Sequence, residues 1–201
     1  MRKLIVQEFL SLDGVMQAPG GPDEDRSGGF EHGGWQLDYV DEILGEHVAK
    51  GFEAAGGFVL GRKTYDTFAA YWPTASDEVG AVRDPINKLP KYVVSRTLTE
   101  PLEWANSSLI IGDVADGIRA LKEQDGGDLV LIGSGNLVQT LIAAGLVDEY
   151  RLMIYPILLG SGTRLFRDGN EKRPLTLIDS ITTSTGVVTA TYRPADQQRT
   201  D

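Results

Sequence analysis

Three short segments carry residue types suited to holding a phosphorylated ligand: Gly61-Arg62-Lys63-Thr64, Ser95-Arg96-Thr97 and Gly133-Ser134-Gly135-Asn136-Leu137. Glycine lets a backbone approach a ligand closely, a helix N-terminus offers unpaired N–H groups and positive potential, and arginine and lysine add formal charge. Each segment alone is a weak signal. A Gly-x-Gly after a strand is often only a tight turn, and Val138 stands where a dinucleotide fingerprint wants its third glycine. That fingerprint also wants an acid at the end of the next strand, and Met153 stands there. Taken together, the three segments point to a guest with several phosphates. Arginines without a ribose-binding acid favour NADP over NAD.

Other chemistry is poorly served. Asp13, in Leu12-Asp13-Gly14, is the candidate to orient or protonate a substrate, although Asp-Gly is also a common turn. The only histidines are His32 and His47, too few and too far apart for a His-Glu-x-x-His pair or a three-histidine zinc site. Cysteine is absent, which removes disulfides, thiolate metal sites and cysteine nucleophiles. Asp23, Glu24, Asp25 and Glu31 suit either a hard cation or a solvated acidic loop, and the loop is the expected reading, with no metal. Neither a Gly-x-Ser-x-Gly elbow nor a Gly-x-x-x-x-Gly-Lys phosphate loop occurs.

The elements that must position these groups follow from periodicity. Residues 3–10 read as a strand, followed by a long aperiodic stretch, 17–35, rich in glycine and acids. Such a stretch is either a floppy surface insertion or a lid hinged on glycine. Leu37, Val40, Leu44, Val48 and Phe52 recur at helical spacing, predicting a helix that ends near Gly56-Gly57. Strands are expected at 58–60, 91–94, 108–111, 128–132 and 149–159. Tyr65, Phe68, Ala69 and Trp72 trace a helix stopped by Pro73, Asp113 caps one carrying Ile118 and Leu121, and Asn136 caps one ending at Gly145. A hairpin around Ser184-Thr185-Gly186 closes the chain, with 194–201 read as a frayed tail. The alternation predicts one α/β domain, 1–193, with a mostly parallel sheet and an antiparallel edge.

At 201 residues, with 41% apolar and 24% charged residues, the chain is long enough to bury one ordinary core. Its net charge of −10 repels a phosphate backbone, so no nucleic-acid partner is expected. No apolar run approaches a membrane span, and Gln7 and Glu8 break the apolar start before a signal peptide can form. We expect a cytoplasmic protein acting on a small molecule, with no membrane partner.

These residues resemble the dihydrofolate-reductase-like superfamily, and within it the reductase domain of riboflavin biosynthesis. Ser11-Leu12-Asp13-Gly14, Gly61-Arg62-Lys63-Thr64-Tyr65, Ile132-Gly133-Ser134-Gly135, and the run from Pro156 to Gly162 with Leu165-Phe166 carry the likeness, which spans residues 3–192. The resemblance implies a three-layer sandwich with a central sheet of about eight strands, an NADPH-dependent reductase, and a homodimer. Arg62, Lys63, Thr64, Ser95, Arg96 and Thr97 would then carry the adenosine-side phosphates. Gly61 would open that helix, and Gly133 to Leu137 would cradle the pyrophosphate. The stretch 17–35 would close over nicotinamide. Folate reductases also place a buried acid soon after a tryptophan. Asp38 and Asp41 follow Trp35, but the spacing to Gly61 is longer. The leading reading is hydride transfer to a C=N bond of a pyrimidine- or pteridine-like substrate, as in the uracil reductase of riboflavin biosynthesis. The alternatives are an NADP(H)-binding module without catalysis and a dihydrofolate reductase.

Overall fold

The computed structural model describes residues 1–169 and 171–195. Eight strands form one sheet: β1 (Leu4–Ser11), β2 (Ala55–Gly61), β3 (Lys91–Val94), β4 (Ser107–Ile110), β5 (Asp128–Leu131), β6 (Glu149–Tyr155), β7 (Leu175–Thr182) and β8 (Val188–Pro194). Five α-helices connect them: α1 (Glu42–Glu53), α2 (Arg62–Tyr71), α3 (Gly80–Lys88), α4 (Val114–Glu123) and α5 (Gly135–Ala143). The strand order is β4-β3-β2-β5-β1-β6-β8-β7. Every pairing from β4 to β6 is parallel, and β8 pairs antiparallel with both β6 and β7.

Alternation along the strands splits the core in two. Phe58, Leu60, Val130 and Ile132 face one side, where Leu44, Val48 and Phe52 of α1 and Ile86 of α3 cover them. Leu4, Val6, Leu10, Val59, Leu129 and Leu131 face the other, under Ile118 and Leu121 of α4 and Leu137, Val138 and Leu141 of α5. The result is the expected three-layer sandwich.

Several local expectations shift. Helix α1 begins only at Glu42, because Asp41 caps it by accepting from the Leu44 amide and also binds Ser184 in the β7–β8 turn. Leu37 and Val40 are therefore exposed, in and after a short 3₁₀ turn. Gly56 and Gly57 do not stop a helix but start β2, where a Cβ on Gly56 would lie 2.2 Å from the Gly127 carbonyl oxygen. That close approach, at a register shift against β5, admits only glycine. Ser134, not Asn136, occupies the N-cap of α5, although without a side-chain capping bond. β6 ends at Tyr155, four residues short of the expected strand end. Pro194 belongs to β8 and the Ala195 amide bonds the Pro174 carbonyl, while the rest of the expected tail, 196–201, lies outside the described residues.

The 17–35 stretch is packed onto the body. Gln17, 6% exposed, donates to the carbonyls of Asp25 and Ser27 and accepts from the Thr163 amide. Trp35 Nε1 donates to the Gln17 carbonyl, and Phe30 lies in the core. The buried amide of Gln17 thus replaces the apolar periodicity that a helix would have shown.

Candidate functional site

Because β3, β2 and β5 are neighbours and parallel, their C-terminal ends meet at one edge of the sheet. The three sequence segments follow those strands, and side chains join them. The Gly61 amide donates to Ser134 Oγ at 2.8 Å, Ser134 Oγ donates to Thr64 Oγ1 at 3.0 Å, and Thr64 Oγ1 donates to the Gly133 carbonyl at 2.9 Å. On the other flank an Arg62 guanidinium nitrogen donates to Thr97 Oγ1, while Ser95 Oγ accepts from the amides of Thr97 and Leu98. Gly133 has φ +69°, and a Cβ there would stand 2.9 Å from the Thr64 methyl, so backbone conformation and packing both demand glycine.

The gathered residues divide into those already engaged and those left open. Thr64 and Ser134 are buried, and their hydroxyls fasten the two turns together. Lys63 turns to the 17–35 stretch, with its ammonium 2.5 Å from Asp25 Oδ2 and 2.9 Å from Ser27 Oγ. Arg62 is shared between Asp66 and Thr97. Arg96 is exposed and has no hydrogen-bond or ion-pair partner among the described residues, and it lines a cleft of about 500 Å³ with Val94, Ser95, Ile111 and Gly112. At α5 the first helical bond is from the Val138 amide to the Ser134 carbonyl, leaving the amides of Gly135, Asn136 and Leu137 without intrahelical partners. A guanidinium open to a cleft after β3, with hydroxyls and the amides of a helix end after β5 on the same edge of the sheet, is a donor set that fits phosphates.

Asp13 stands elsewhere, at the end of β1, with its carboxylate already engaged. Its carboxylate accepts from Ser11 Oγ at 2.7 Å and from the amides of Leu159 and Gly160 at 3.1 and 2.9 Å. Arg164 lies 3.4 Å away and also donates to the Asp13 carbonyl. Partial desolvation raises its pKa, but these hydrogen bonds outweigh that and lower it to about 2. A carboxylate so placed clamps the segment after β6 to the end of β1. Nor does either acid after Trp35 serve as a buried acid. Asp38 is exposed, and Asp41 is committed to its cap, with hydrogen bonds from Ser184 first among those that lower its pKa to about 2.

Beside β1 an aromatic wall is built on Tyr155, which is fully buried, with Trp35, Tyr39 and Phe9 at ring-centroid distances of 5.1, 5.8 and 6.3 Å. Burial, reinforced by the charge of Asp41, pushes the Tyr155 hydroxyl far above its ordinary range. His32 is exposed and edge-on to Phe30, whereas His47 is half-buried rather than solvent-facing, and its pKa is lowered first by burial. Among the described residues no cluster of His, Cys, Asp or Glu could hold a metal ion, and no helix is long and apolar enough to cross a membrane.

Two groups near this edge escaped the sequence reading. Glu8 of β1 is 2% exposed, and the signal was present as a charged residue inside a β-rich run. Arg167 sits beside Gly135 in the segment after β6, its Nη2 3.8 Å from the position of a Gly135 Cβ, and no periodicity marks it.

A parallel-centred sandwich whose adjacent strand ends present two helix N-termini and an open arginine is an α/β domain with a ligand-compatible edge. A family model described as the RibD C-terminal domain matches residues 2–189, and the chain belongs to that family. It is similar to the uncharacterized protein YyaP of Bacillus subtilis (strain 168), with 31% identity over 196 residues, 95% of this chain and 94% of that protein. Among solved structures it is similar to a protein from Shewanella sp. PV-4 provisionally described as a riboflavin biosynthesis protein. There the identity is 25% and the TM-score 0.72, over 96% of this chain and 98% of that one. Its fold is also that of dihydrofolate reductase from Enterococcus faecalis, a structure described as complexed with NADP(H) and RAB-propyl, at 13% identity and TM-score 0.61 over 96% and 97% of the two chains.

Proposed function

We propose that this protein is an NADPH-dependent reductase that delivers hydride to a C=N bond of a pyrimidine- or pteridine-like substrate. The observation that carries this reading is the convergence of the β2, β3 and β5 ends on one phosphate-compatible edge, with Arg96 left open. The riboflavin-related and folate-reductase neighbours lend support by family and by fold. NADPH, when bound, supplies the hydride. In this reading Arg96 pairs with the 2′-phosphate, while the amides of Gly135, Asn136 and Leu137 take the diphosphate. Gly61 and Gly133 let the two turns close on each other, and Arg62, Thr64, Ser95, Thr97 and Ser134 hold the turns in register. The Trp35–Tyr155 wall keeps water from the face of the sheet beside β1.

Tryptophan fluorescence titrated with NADPH and NADH tests the cofactor. We expect saturable binding with NADPH preferred. Arg96→Ala should weaken NADPH about tenfold or more, the worth of one charge-assisted hydrogen bond, and weaken NADH much less. No saturable response to either nucleotide overturns the proposal. One observation favours a second reading, a binding module without catalysis: Asp13 and Asp41 are both committed to structural bonds. Binding without NADPH oxidation across a panel of pterins, pyrimidines and other imines would select it.

A further inference from the structure

Glu8 lies in the middle of β1, in register with Leu152 of β6, on the face where Val6 and Leu10 join Met16, Leu137 and Val138 in the core. Its carboxyl is 2% exposed, Oε1 has no hydrogen-bond partner, and the amides of Gly133 and Ser134 lie over it. Helix α5 starts immediately afterwards and has nine residues, so its N-terminal field is well developed at that point. A buried, unsatisfied carboxyl under a helix end suited to anions is costly unless it is neutral or the site uses it.

We propose that the charge of Glu8 sets the affinity of the α5 N-terminus for a diphosphate: the neutral acid leaves the positive end of the helix to the ligand, and the carboxylate, held by the adjoining Gly133 and Ser134 amides, neutralises that field and repels the ligand's charge. The inference rests on the cofactor reading above and adds to it a proton that is bound together with the nucleotide. Burial, opposed by the Gly133 and Ser134 amides, pushes the pKa of Glu8 up to about 8, so the group changes charge within an accessible range. The ionisable groups on the surrounding elements are Asp116, Arg119, Lys122 and Glu123 on α4, Tyr150 on β6 with Glu149, Arg151 and Tyr155 alternating to its other face, Arg62, Lys63, Tyr65, Asp66 and Tyr71 on α2, and Arg167 and Asp168 after β6, while α5 carries none. Burial and the two amides account for the shift, so the comparison with Glu8→Gln isolates the contribution of Glu8 from the titration of the ligand and of these other groups.

The test is the dissociation constant of NADPH, and separately of inorganic pyrophosphate, from pH 7 upward at fixed ionic strength, for the wild type and for Glu8→Gln. We expect the two proteins to bind equally near pH 7. Above about pH 8 the wild type should weaken toward tenfold per pH unit, the limit for one competing proton, while Glu8→Gln stays flat. Parallel profiles overturn the inference. Pyrophosphate that follows the wild-type profile when NADPH does not bind supports it and removes the cofactor reading instead. Binding of neither ligand at any pH overturns both. Should Glu8→Gln not fold, a carboxyl ¹³C titration of the wild type decides the matter, because linkage is reciprocal. A ligand bound together with a proton must raise the midpoint of Glu8, and an unmoved midpoint overturns the coupling.

Discussion

Asp13 meets donors from three parts of the chain: Ser11 beside it, the Leu159 and Gly160 amides, and Arg164. Its folded pKa of about 2 lies below the ordinary 3.8, so the unfolded chain binds the proton more readily. Stability from this group is therefore complete above pH 3.8 and is lost as pH falls through about 2. Asp13→Asn should cost about 1 kcal/mol at neutral pH, after allowance for solvent screening. The gap from wild type should narrow in acid, as read by denaturant melts at several pH values. The same variant should leave the shape of any pH–rate profile unchanged, since a group ionised down to about pH 2 has no proton to give at neutrality. A profile that loses one limb would restore Asp13 as the acid. The sequence showed Asp13 as a polar residue in a promising place, but all its donors except Ser11 lie about 150 positions away, where no local pattern reveals them. Glu8 escaped for the opposite reason. Its neighbours in sequence look like any strand, and only the sheet shows that both faces of β1 are covered.

At the scale of elements, the two turns that open α2 and α5 behave as one unit, because Thr64 and Ser134 fasten them. Gly133→Ala should cost about 2 kcal/mol from the left-handed backbone alone, with a further penalty from the contact with the Thr64 methyl. The double variant Gly133→Ala/Thr64→Ser should recover the packing part and not the conformational part, which a thermal-melt double-mutant cycle resolves. Full additivity would mean that the turns are not coupled. The glycine-first turns and the parallel strands were legible because chain neighbours produce them. The start of α1 was not, since Leu37 and Val40 extend the helical period while Asp41 ends it through a bond to Ser184, 143 positions on. The 17–35 stretch was illegible for a related reason: its order comes from one buried glutamine and from Lys63, not from a run of apolar residues.

For the whole molecule, the exposed margin of the sheet is β7, along which Leu175, Leu177 and Ile178 are 39%, 51% and 47% exposed. A register shift between Leu177 and Asp179 turns Ile178 outward as an extra residue. An apolar edge strand of this kind invites pairing with another, and we propose that two copies associate there as a homodimer. Sedimentation should give a dimer that Ile178→Lys dissociates, and a monomeric wild type at micromolar concentration would exclude it. The interior of the sheet has a different consequence. Both neighbours of β1, β5 and β6, lie far downstream of it in the polypeptide. Until β5 and β6 have been made, Leu4, Ile5 and Val6 have no complete place to go and stay unpaired while the intervening chain is synthesised. A strand buried on both faces in the finished protein thus has its apolar side chains uncovered while the chain is being made.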